Sequence, residues 1–562
     1  MQKTYNVEGL GKVTLTDKNY LAAGGEAECY IKGNNVFKIY HNENKMIPAT
    51  KIIELGSILS PNVLKPLNII YDPKTGKEVG FTMEYKGDTE PICKYFTKSF
   101  KMRNNVAKEN INDIVSRMQK IIQDIHNSNC LIVDLNELNV LITNQNFDPY
   151  FIDVDSYETK SHKATALMEN IRDRTIKNNK WTEESDWYSF AILIFQMWIG
   201  IHPYKGKHPN YKPDEWLKRM EDGVSIFDKD VTVPKLCEDF SVIPKSHLSW
   251  IKDIFLKNKR YQPPELSDDV QLSVPDQFRF VNVNSNFEIN LEIEIRETIK
   301  DIFNLLGINY IVGTTKLFKD KNELSIDTFN CRKVFICNTG DFSPIICKLK
   351  NDTLISEDLS GKVIHTVKTK DVMSRNGCIY YICGDQLVES VYNKFGDNIL
   401  CSASIASNIH PLSTQVFDGV VFHNLLGKNY IVLPYEKSKC INMYVPELDG
   451  YRLIDAKSEK NICGVIAEKK GKYDRFILDF NSSFLRYEIR KTCDVQYGEI
   501  NLTVLPNGVA ALACQDSVEI FKGSNVKIVD NPPFNSVTKI FNVNGKFFFV
   551  DGNKVFSSKM KN

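Results

Sequence analysis

A short stretch of the chain carries two carboxylates and an amide at a spacing that suits phosphoryl transfer. Asp134 stands five residues before Asn139, and Asp153 follows two apolar runs, 140–142 and 150–152. Phosphoryl transfer needs one carboxylate to orient the attacking hydroxyl, and an amide with a second carboxylate to hold Mg²⁺ on a triphosphate. The two apolar runs predict a hairpin that returns Asp153 to the neighbourhood of Asp134.

Segments upstream and downstream of this stretch could complete a nucleotide site. Gly24 and Gly25 lie between strand-like runs, where missing side chains let backbone N–H groups approach anionic oxygens. Lys38 lies on the alternating strand NVFKIY and could pair with phosphates. A further strand at 80–87 and an apolar helix that opens at 185–191 follow in chain order.

Three strings in the first half of the chain resemble a known family. FKIYH at 37–41, DLN at 134–136 and IDVDSY at 152–157 are similar to a bacterial and phage branch of protein kinase-like proteins. That branch reads D-L-N-x-x-N and I-D-x-D-S-[FY] where eukaryotic kinases read D-L-K-x-x-N and D-F-G. Its members resemble Ser/Thr kinases and are often encoded beside metal-dependent protein phosphatases or stress-response modules. The resemblance implies a two-lobed α+β kinase fold.

The same resemblance implies a role for each matching residue, with ATP and Mg²⁺ as cofactors. Asp134 would be the catalytic carboxylate, and Asn139 and Asp153 would bind the metal. Lys38 would belong to both the catalytic and the nucleotide-binding set, because it would contact the α- and β-phosphates. The other nucleotide-binding residues implied are Gly24, Gly25, Glu54, Glu84 and Lys86.

The chain departs from the kinase pattern at several charged positions. Ile132 and Val133 replace the histidine and arginine before the catalytic aspartate, so a phosphorylated activation loop would find no cation there. Asn136 replaces the catalytic-loop lysine and leaves a neutral donor. Asp155 replaces the glycine of D-F-G and would place an extra carboxylate near the metal.

The helix predicted over about 45–59 should carry the glutamate that pairs with Lys38. It offers only Glu54 for this role, whereas the usual spacing would place Lys51 there. The sequence therefore leaves the partner of Lys38 open.

Three other residues are interpreted as structural. Asp186, at the start of the apolar helix, would brace the backbone of the catalytic loop, although a simple helix N-cap is the alternative. His126 would be a packed core histidine. Arg260 would bridge a buried carboxylate such as Glu183 or Glu184.

Composition limits the remaining function classes. With 562 residues the chain can bury two substantial cores, and 71 Lys+Arg against 70 Asp+Glu give no global field that would recruit nucleic acid or a membrane. The start of the chain lacks the apolar core of a signal peptide. The longest apolar run, 190–201, is too short to span a bilayer and predicts a buried helix. Fourteen scattered cysteines without a C-x-x-C pair indicate reduced thiols and a cytoplasmic protein.

The second half changes to β-type runs. One short helix is predicted at 292–306, and strand-like runs that begin with a turn glycine then recur about every 37 to 50 residues. This period is typical of propeller blades and predicts six or seven of them, with loose similarity to WD repeats. A pair of β-sandwiches is the competing architecture. The predicted domains are the kinase-like domain 1–270 (N-lobe about 1–85, C-lobe about 86–270), a linker 271–290 and a β-propeller 291–562.

These patterns together favour an ATP-dependent Ser/Thr protein kinase whose C-terminal propeller docks or selects protein partners. A metal-dependent protein phosphatase is one candidate partner. The alternative is a pseudokinase scaffold that binds nucleotide or partners without phosphoryl transfer. Ala22 and Ala27, which replace two glycines of the usual kinase loop, favour this alternative, as do Asn136 and the unresolved role of Glu54. A small-molecule kinase on the same fold is a third interpretation, which the propeller does not support.

Overall fold

The chain divides into two compact units, Met1–Asn282 and Val283–Asn562. The structure is a computed structural model that describes residues 2–234, 237–266, 287–514, 517–530, 532–536 and 538–561. Most of the predicted linker, 271–286, lies outside the described residues, and its last residues, 287–290, begin the first strand of the second unit.

The N-terminal unit combines an antiparallel sheet with a helical part. Its strands are β1 (Gln2–Val7), β2 (Gly11–Thr16), β3 (Tyr20–Ala23), β4 (Ala27–Lys32), β5 (Asn35–Tyr40), β6 (Ile69–Tyr71), β7 (Glu78–Glu84), β8 (Thr89–Pro91), β9 (Val140–Thr143) and β10 (Pro149–Phe151). Its α-helices are α1 (Ala49–Gly56), α2 (Lys98–Arg103), α3 (Lys108–Asn127), α4 (Glu183–Ile199), α5 (Trp216–Glu221) and α6 (Lys245–Phe255).

The large sheet places Lys38 at its centre. The strand order is β2-β1-β6-β7-β5-β4-β3, so β5 lies between β4 and β7, and Lys38 pairs across to Cys29 and Phe81. Side chains alternate along a strand. Phe37 and Ile39 therefore enter the hydrophobic core of the sheet, and Lys38 projects from the other face.

The helical part is built around α4 and the hairpin of β9 and β10. Nearly every side chain of α4 is buried, as expected for a helix that is apolar on all sides. In the hairpin, Phe151 lies opposite Val140. This pairing confirms the predicted return of the chain to the loop between α3 and β9, which contains Asp134 and Asn139 and is called the catalytic loop after its predicted role. Among the described residues, no helix is long and apolar enough to cross a membrane.

Two buried histidines should make the N-terminal unit sensitive to acid. Burial lowers the pKa of His202 to about 3 and that of His247 to about 4. Because both values lie below the ordinary pKa, the unfolded state binds more protons as pH falls below about 6.5, and stability falls with it. From pH 7 to pH 5, each histidine should remove about 2 kcal/mol from the free energy of unfolding.

Tryptophan fluorescence can follow this loss, because all five tryptophans of the chain lie between residues 181 and 250. Urea titrations at pH 7 and pH 5 measure the difference in the free energy of unfolding between these pH values. His202→Gln should reduce this difference by about half. His208→Gln, at a more exposed histidine, is the matched control and should leave it unchanged. An equal pH dependence in all three proteins would contradict the assignment.

The C-terminal unit is all-β among its described residues, which confirms the predicted class of the second half. Its strands are β11 (Phe287–Glu294), β12 (Asp301–Leu305), β13 (Ile308–Val312), β14 (Lys316–Lys319), β15 (Asn322–Asp327), β16 (Lys333–Asn338), β17 (Pro344–Lys350), β18 (Thr353–Glu357), β19 (Val363–Lys368), β20 (Val372–Arg375), β21 (Cys378–Cys383), β22 (Gln386–Phe395), β23 (Asn398–Asn408), β24 (Thr414–Phe417), β25 (Val420–Leu425), β26 (Lys428–Glu436), β27 (Lys439–Tyr444), β28 (Arg452–Glu459), β29 (Ile462–Lys469), β30 (Lys472–Phe480), β31 (Tyr487–Val495), β32 (Asn501–Val504), β33 (Ala510–Ala513), β34 (Ser517–Lys522), β35 (Asn525–Asp530), β36 (Ile540–Val543), β37 (Lys546–Asp551) and β38 (Lys554–Met560).

In the part of this unit that the structure describes, the strands form seven four-stranded antiparallel sheets. Six sheets use consecutive strands, from β12–β15 to β32–β35, and the seventh joins β11 to β38, β37 and β36. The first strand of the unit thus pairs with the last. A hydrophobic cluster that contains Ile302 and Val550 packs this seventh sheet against β12–β15.

The helix predicted at 292–306 is wrong. Residues Phe287–Glu294 and Asp301–Leu305 are strands. Glu292, Ile293, Glu294 and Ile295 alternate polar and apolar side chains, which is the period of a strand with one buried face. Ile293 and Ile295 are buried as that period requires.

Candidate active site

The structure brings the predicted catalytic residues to one place in the N-terminal unit. Lys38 reaches from the centre of β5, Asp134 and Asn139 lie in the loop between α3 and β9, and Asp153 follows β10. Lys38 Nζ lies 2.8 Å from Asp153 Oδ1. The Asn139 amide lies within hydrogen-bonding distance of Asp134. Residues that are 115 positions apart in the chain therefore face one another.

Lys38 is held by two carboxylates. Its Nζ donates to Asp153 Oδ1 at 2.8 Å and to both carboxylate oxygens of Asp155, at 2.9 and 2.7 Å. Burial opposes the charged form, but Asp155 and Asp153 outweigh it and hold the pKa of Lys38 well above its ordinary value. Lys38 is therefore charged and directed at the turn of residues 152–157, which is called the metal turn after its predicted role. A lysine that binds phosphate needs this charge.

Asp155 is fixed from two elements. Its Oδ2 accepts a hydrogen bond from the Tyr40 hydroxyl of β5 at 2.6 Å, and its backbone carbonyl accepts one from Lys51 Nζ of α1 at 2.8 Å. Lys51 is 1% exposed, and burial lowers its pKa. Asp155, Tyr40 and Lys51 are absent from the predicted nucleotide site. Two departures from the kinase pattern indicated this arrangement in the sequence. Lys51 stands at the usual position of a glutamate, and Asp155 stands at the usual position of a glycine.

Glu54 does not pair with Lys38. The helix predicted over about 45–59 is present as α1, but Glu54 lies on its far side, where Oε2 is 3.2 Å from His162 Nδ1 and 3.3 Å from the Ser161 N–H. Hydrogen bonds from Thr159, Ser161 and His162 lower the pKa of Glu54 to about 2. Thr50 of the same helix contacts His162 Nε2 at 3.1 Å, so this face of α1 holds the segment that follows the metal turn.

The backbone at Asp153 adopts a left-handed conformation, with φ +59°. Aspartate and asparagine tolerate this region better than most residues. The carbonyl of Asp153 accepts hydrogen bonds from the N–H and the hydroxyl of Ser156, at 3.0 and 2.8 Å, which closes the turn. The Asp153 side chain is 38% exposed, so its carboxylate lies at the open side of the site.

The catalytic loop presents Asp134 through a network of neutral N–H donors. Its Oδ1 accepts from the Met168 N–H at 2.8 Å, and its Oδ2 from the Asn136 amide at 2.9 Å and the Asn139 amide at 3.4 Å. Burial raises the pKa of Asp134 to about 6. A carboxylate offers about four acceptor positions, so these donors leave room for a substrate hydroxyl.

Asp186 braces this loop, as predicted. Its two carboxylate oxygens accept the N–H groups of Ile132 and Val133, each at 2.8 Å, and one of them contacts His126 Nε2 at 3.0 Å. Val133 has φ +62°, which a β-branched residue rarely adopts. Asp186 therefore offsets local backbone strain directly before Asp134. His126 is buried, in agreement with its interpretation as a core residue.

The remaining predicted nucleotide-binding residues are two glycines of the β3–β4 turn and a Glu84–Lys86 pair at the end of β7. Gly24 and Gly25 lie in the turn between β3 and β4, and a Cβ built on either would meet no atom within 4 Å. Both glycines are exposed, and the space around them is open. Glu84 ends β7 and pairs with Lys86 at 2.8 Å, and Lys86 also lies over the ring of Tyr150. These two side chains contact each other rather than Lys38 or Asp153.

Arg260 bridges a buried carboxylate, but the carboxylate belongs to Asp173. Arg260 Nε lies 2.6 Å from Asp173 Oδ2, and a terminal guanidinium nitrogen lies 2.9 Å from Oδ1. The predicted partners Glu183 and Glu184 are therefore wrong. Asp173 lies in a stretch without a regular element, where sequence periodicity gives no indication of burial.

The donor set suits Mg²⁺. Carboxylate and amide oxygens are ligands that magnesium accepts, and its sites usually pair one or two such groups with phosphate oxygens. Asp153, whose side chain is 38% exposed, and Asn139, whose carbonyl accepts the Ile152 N–H at 3.0 Å, fit this requirement. A separate cluster of His208, Asp228 and Asp230, with ligand atoms within 4.8 Å, contains none of these residues.

Comparison with known proteins finds weak similarities in sequence and in structure to kinase proteins. No family model matches the chain. A protein kinase and PP2C-like domain-containing protein of Arabidopsis thaliana is 24% identical over 191 residues, which cover 29% of this chain and 28% of that protein. The chain thus spans less than a third of that relative. The structure of the Cydia pomonella granulovirus kinase PK-1 aligns with 44% of this chain and 87% of its own, at 11% identity and a TM-score of 0.32.

Proposed function

We propose that the protein is an ATP-dependent Ser/Thr protein kinase. The observation that carries the proposal is the convergence of Lys38, Asp134, Asn139 and Asp153 from three segments of the chain onto one site. The resemblance of the sequence motifs to kinase-like proteins, with these side chains brought together, supports phosphoryl transfer to a hydroxyl.

Each residue has a task in this reaction. Asp134 accepts a hydrogen bond from the substrate hydroxyl and takes its proton as the new bond forms. Lys38 neutralises phosphate charge from the centre of the sheet, and the backbone at Gly24 and Gly25 covers the phosphates. Asn139 and Asp153 would hold Mg²⁺, which supplies charge neutralisation on the β- and γ-phosphates when bound.

A pseudokinase scaffold is the second candidate. The side chains that contact Asp134 are the neutral amides of Asn136 and Asn139, so no lysine supports the transferred phosphoryl from this position. Such a protein would bind nucleotide, or partners, without transferring phosphate.

We infer that the seven sheets of the C-terminal unit are the blades of a β-propeller that docks protein partners. Four antiparallel strands in each sheet, the pairing of β11 with β38 and the hydrophobic clusters between neighbouring sheets support this inference. A propeller exposes loops on a broad face, which suits the selection of protein substrates. A metal-dependent protein phosphatase is one candidate partner.

Incubation with Mg²⁺ and γ-labelled ATP tests both parts of the proposal. The full-length protein and the fragment 1–282 should each transfer label to themselves and to a generic acceptor such as casein. In a cell lysate, only the full-length protein should label a restricted set of proteins, because the fragment lacks the docking unit. Nucleotide binding without any transfer would favour the pseudokinase. A fragment 1–282 that fails to bind ATP would overturn the independent docking platform.

A further inference from the structure

The acidic residues of the metal turn have different surroundings. Asp155 is nearly buried, with a side chain 8% exposed, and engages Lys38 through both oxygens. Asp153 is the more exposed of the two and engages Lys38 through one oxygen. The carboxylate that can face a ligand is therefore Asp153, and the carboxylate that holds Lys38 from within is Asp155.

The contacts of Asp155 account for its buried charge. A buried carboxylate is stable only when it is paired and its oxygens accept hydrogen bonds. Lys38 supplies the opposite charge, and the Tyr40 hydroxyl supplies a further hydrogen bond at 2.6 Å. Both donors lie on β5, two residues apart on the same face of the strand. The side chain of Asp155 is thus tied to the strand that carries the phosphate-binding lysine.

Lys51 fixes the backbone of the same residue. Its Nζ donates to the Asp155 carbonyl at 2.8 Å from the buried face of α1. A glutamate at this place would face the Lys38 ammonium across the helix–sheet boundary, but here the helix carries the cation and the turn carries the anion. The charges of the helix and the turn are exchanged, and the ion pair of Lys38 is preserved.

We propose that Asp155 is the positioning residue for Lys38, and that the metal turn, rather than α1, aligns the phosphate-binding lysine. This inference rests on the proposed nucleotide site. If a metal engaged Asp153, Lys38 would keep Asp155 as its partner and stay oriented toward the phosphates. The alignment of Lys38 is then coupled to the conformation of the metal turn, because Asp153 and Asp155 lie two positions apart in that turn.

The affinities of the full-length protein for ATP and for adenosine separate a loss of Lys38 positioning from a general loss of stability. Asp155→Asn keeps the shape of the side chain but removes its charge. We expect the Kd for ATP to rise about 10-fold, the size of a lost charge-assisted contact, and the Kd for adenosine to change less than about 2-fold, because adenosine carries no phosphate. Calorimetry in the presence and absence of Mg²⁺ measures both.

A double-mutant cycle assigns the effect to Lys38. In a Lys38→Met background, Asp155→Asn should change the Kd for ATP by less than about 2-fold, because the group it positions is gone. Asp253→Asn is the matched control. Asp253 lies on α6, away from the sheet that carries Lys38, and accepts from Lys257 at 2.8 Å and from Lys259 at 3.0 Å. It should leave both affinities unchanged.

The outcomes are distinguishable. A wild-type protein that binds neither ATP nor adenosine would remove the proposed function itself. A wild-type protein that binds ATP, with an Asp155→Asn variant that binds it equally well or loses both ligands equally, would overturn only the positioning role. If Asp155→Asn does not fold, as judged by tryptophan fluorescence, Tyr40→Phe replaces it: loss of the hydroxyl bond to Asp155 should raise the Kd for ATP about 3-fold and spare adenosine.

Discussion

Asp134→Asn is expected to abolish phosphoryl transfer while the protein still binds nucleotide. The substitution keeps the shape of the side chain but removes the carboxylate that takes the substrate proton, a loss of about 10²- to 10⁴-fold in rate. The new amide keeps one oxygen, which can accept from the Asn136 and Asn139 amides, whereas the Met168 N–H loses its acceptor, so we expect a folded loop with a modest loss of stability. Transfer of label from γ-labelled ATP, with calorimetry of ATP binding, measures the two effects separately.

Asp186→Asn is an informative companion variant. It alters the group that accepts the Ile132 and Val133 N–H groups, so it should reduce both stability and transfer through the loop backbone. Asp134→Asn should reduce transfer strongly, with only a modest loss of stability. Equal background labelling by the wild type and Asp134→Asn would show that the label does not report catalysis, and the pseudokinase proposal would then replace the kinase proposal.

Asp153→Asn is expected to remove most of the stabilisation that Mg-ATP gives to the N-terminal unit. A ligand present at about 100 times its Kd stabilises a protein by about 2.7 kcal/mol, and the variant should keep less than about 1 kcal/mol of this. The physical reason is the loss of a metal-binding charge beside the phosphates. Thermal unfolding followed by tryptophan fluorescence, with and without Mg-ATP, measures the change.

Asparagine is a better test than alanine at this position. Asp153 has φ +59°, a conformation that asparagine tolerates and alanine resists, so Asp153→Ala would add backbone strain to the loss of the metal ligand. Lys38 keeps Asp155 as a partner in either variant. A folded Asp153→Asn protein with the full wild-type response to Mg-ATP would contradict the assignment of Asp153 to the metal.

The candidate site was visible in the sequence where its residues are close together in the chain. Asp134 and Asn139 share one loop, and a short hairpin of β9 and β10 brings Asp153 back, so local spacing and apolar pattern were enough to place them together. Lys38 could be placed because its strand has a clear alternation, with Phe37 and Ile39 facing the core.

Other contacts depended on residues far apart in the chain. The pairing of Lys38 with Asp155 spans 117 positions, that of Lys51 with the Asp155 carbonyl spans 104, and that of Arg260 with Asp173 spans 87. A single sequence shows which residues carry charge but gives no information on which charges meet. By its place on α1, Glu54 is a candidate partner of Lys38 in the sequence, whereas the direction of its side chain carries it to His162.

The sequence by itself determined the class of each half, since alternation, turn glycines and apolar runs set local conformation before any packing. It determined the set of side chains that could perform phosphoryl transfer. Only the tertiary structure decided how the second half closes, because the pairing of β11 with β38 joins the two ends of that unit. It also decided which carboxylate holds Lys38, because a buried charge takes the partner that packing brings within reach, and here that partner is Asp155.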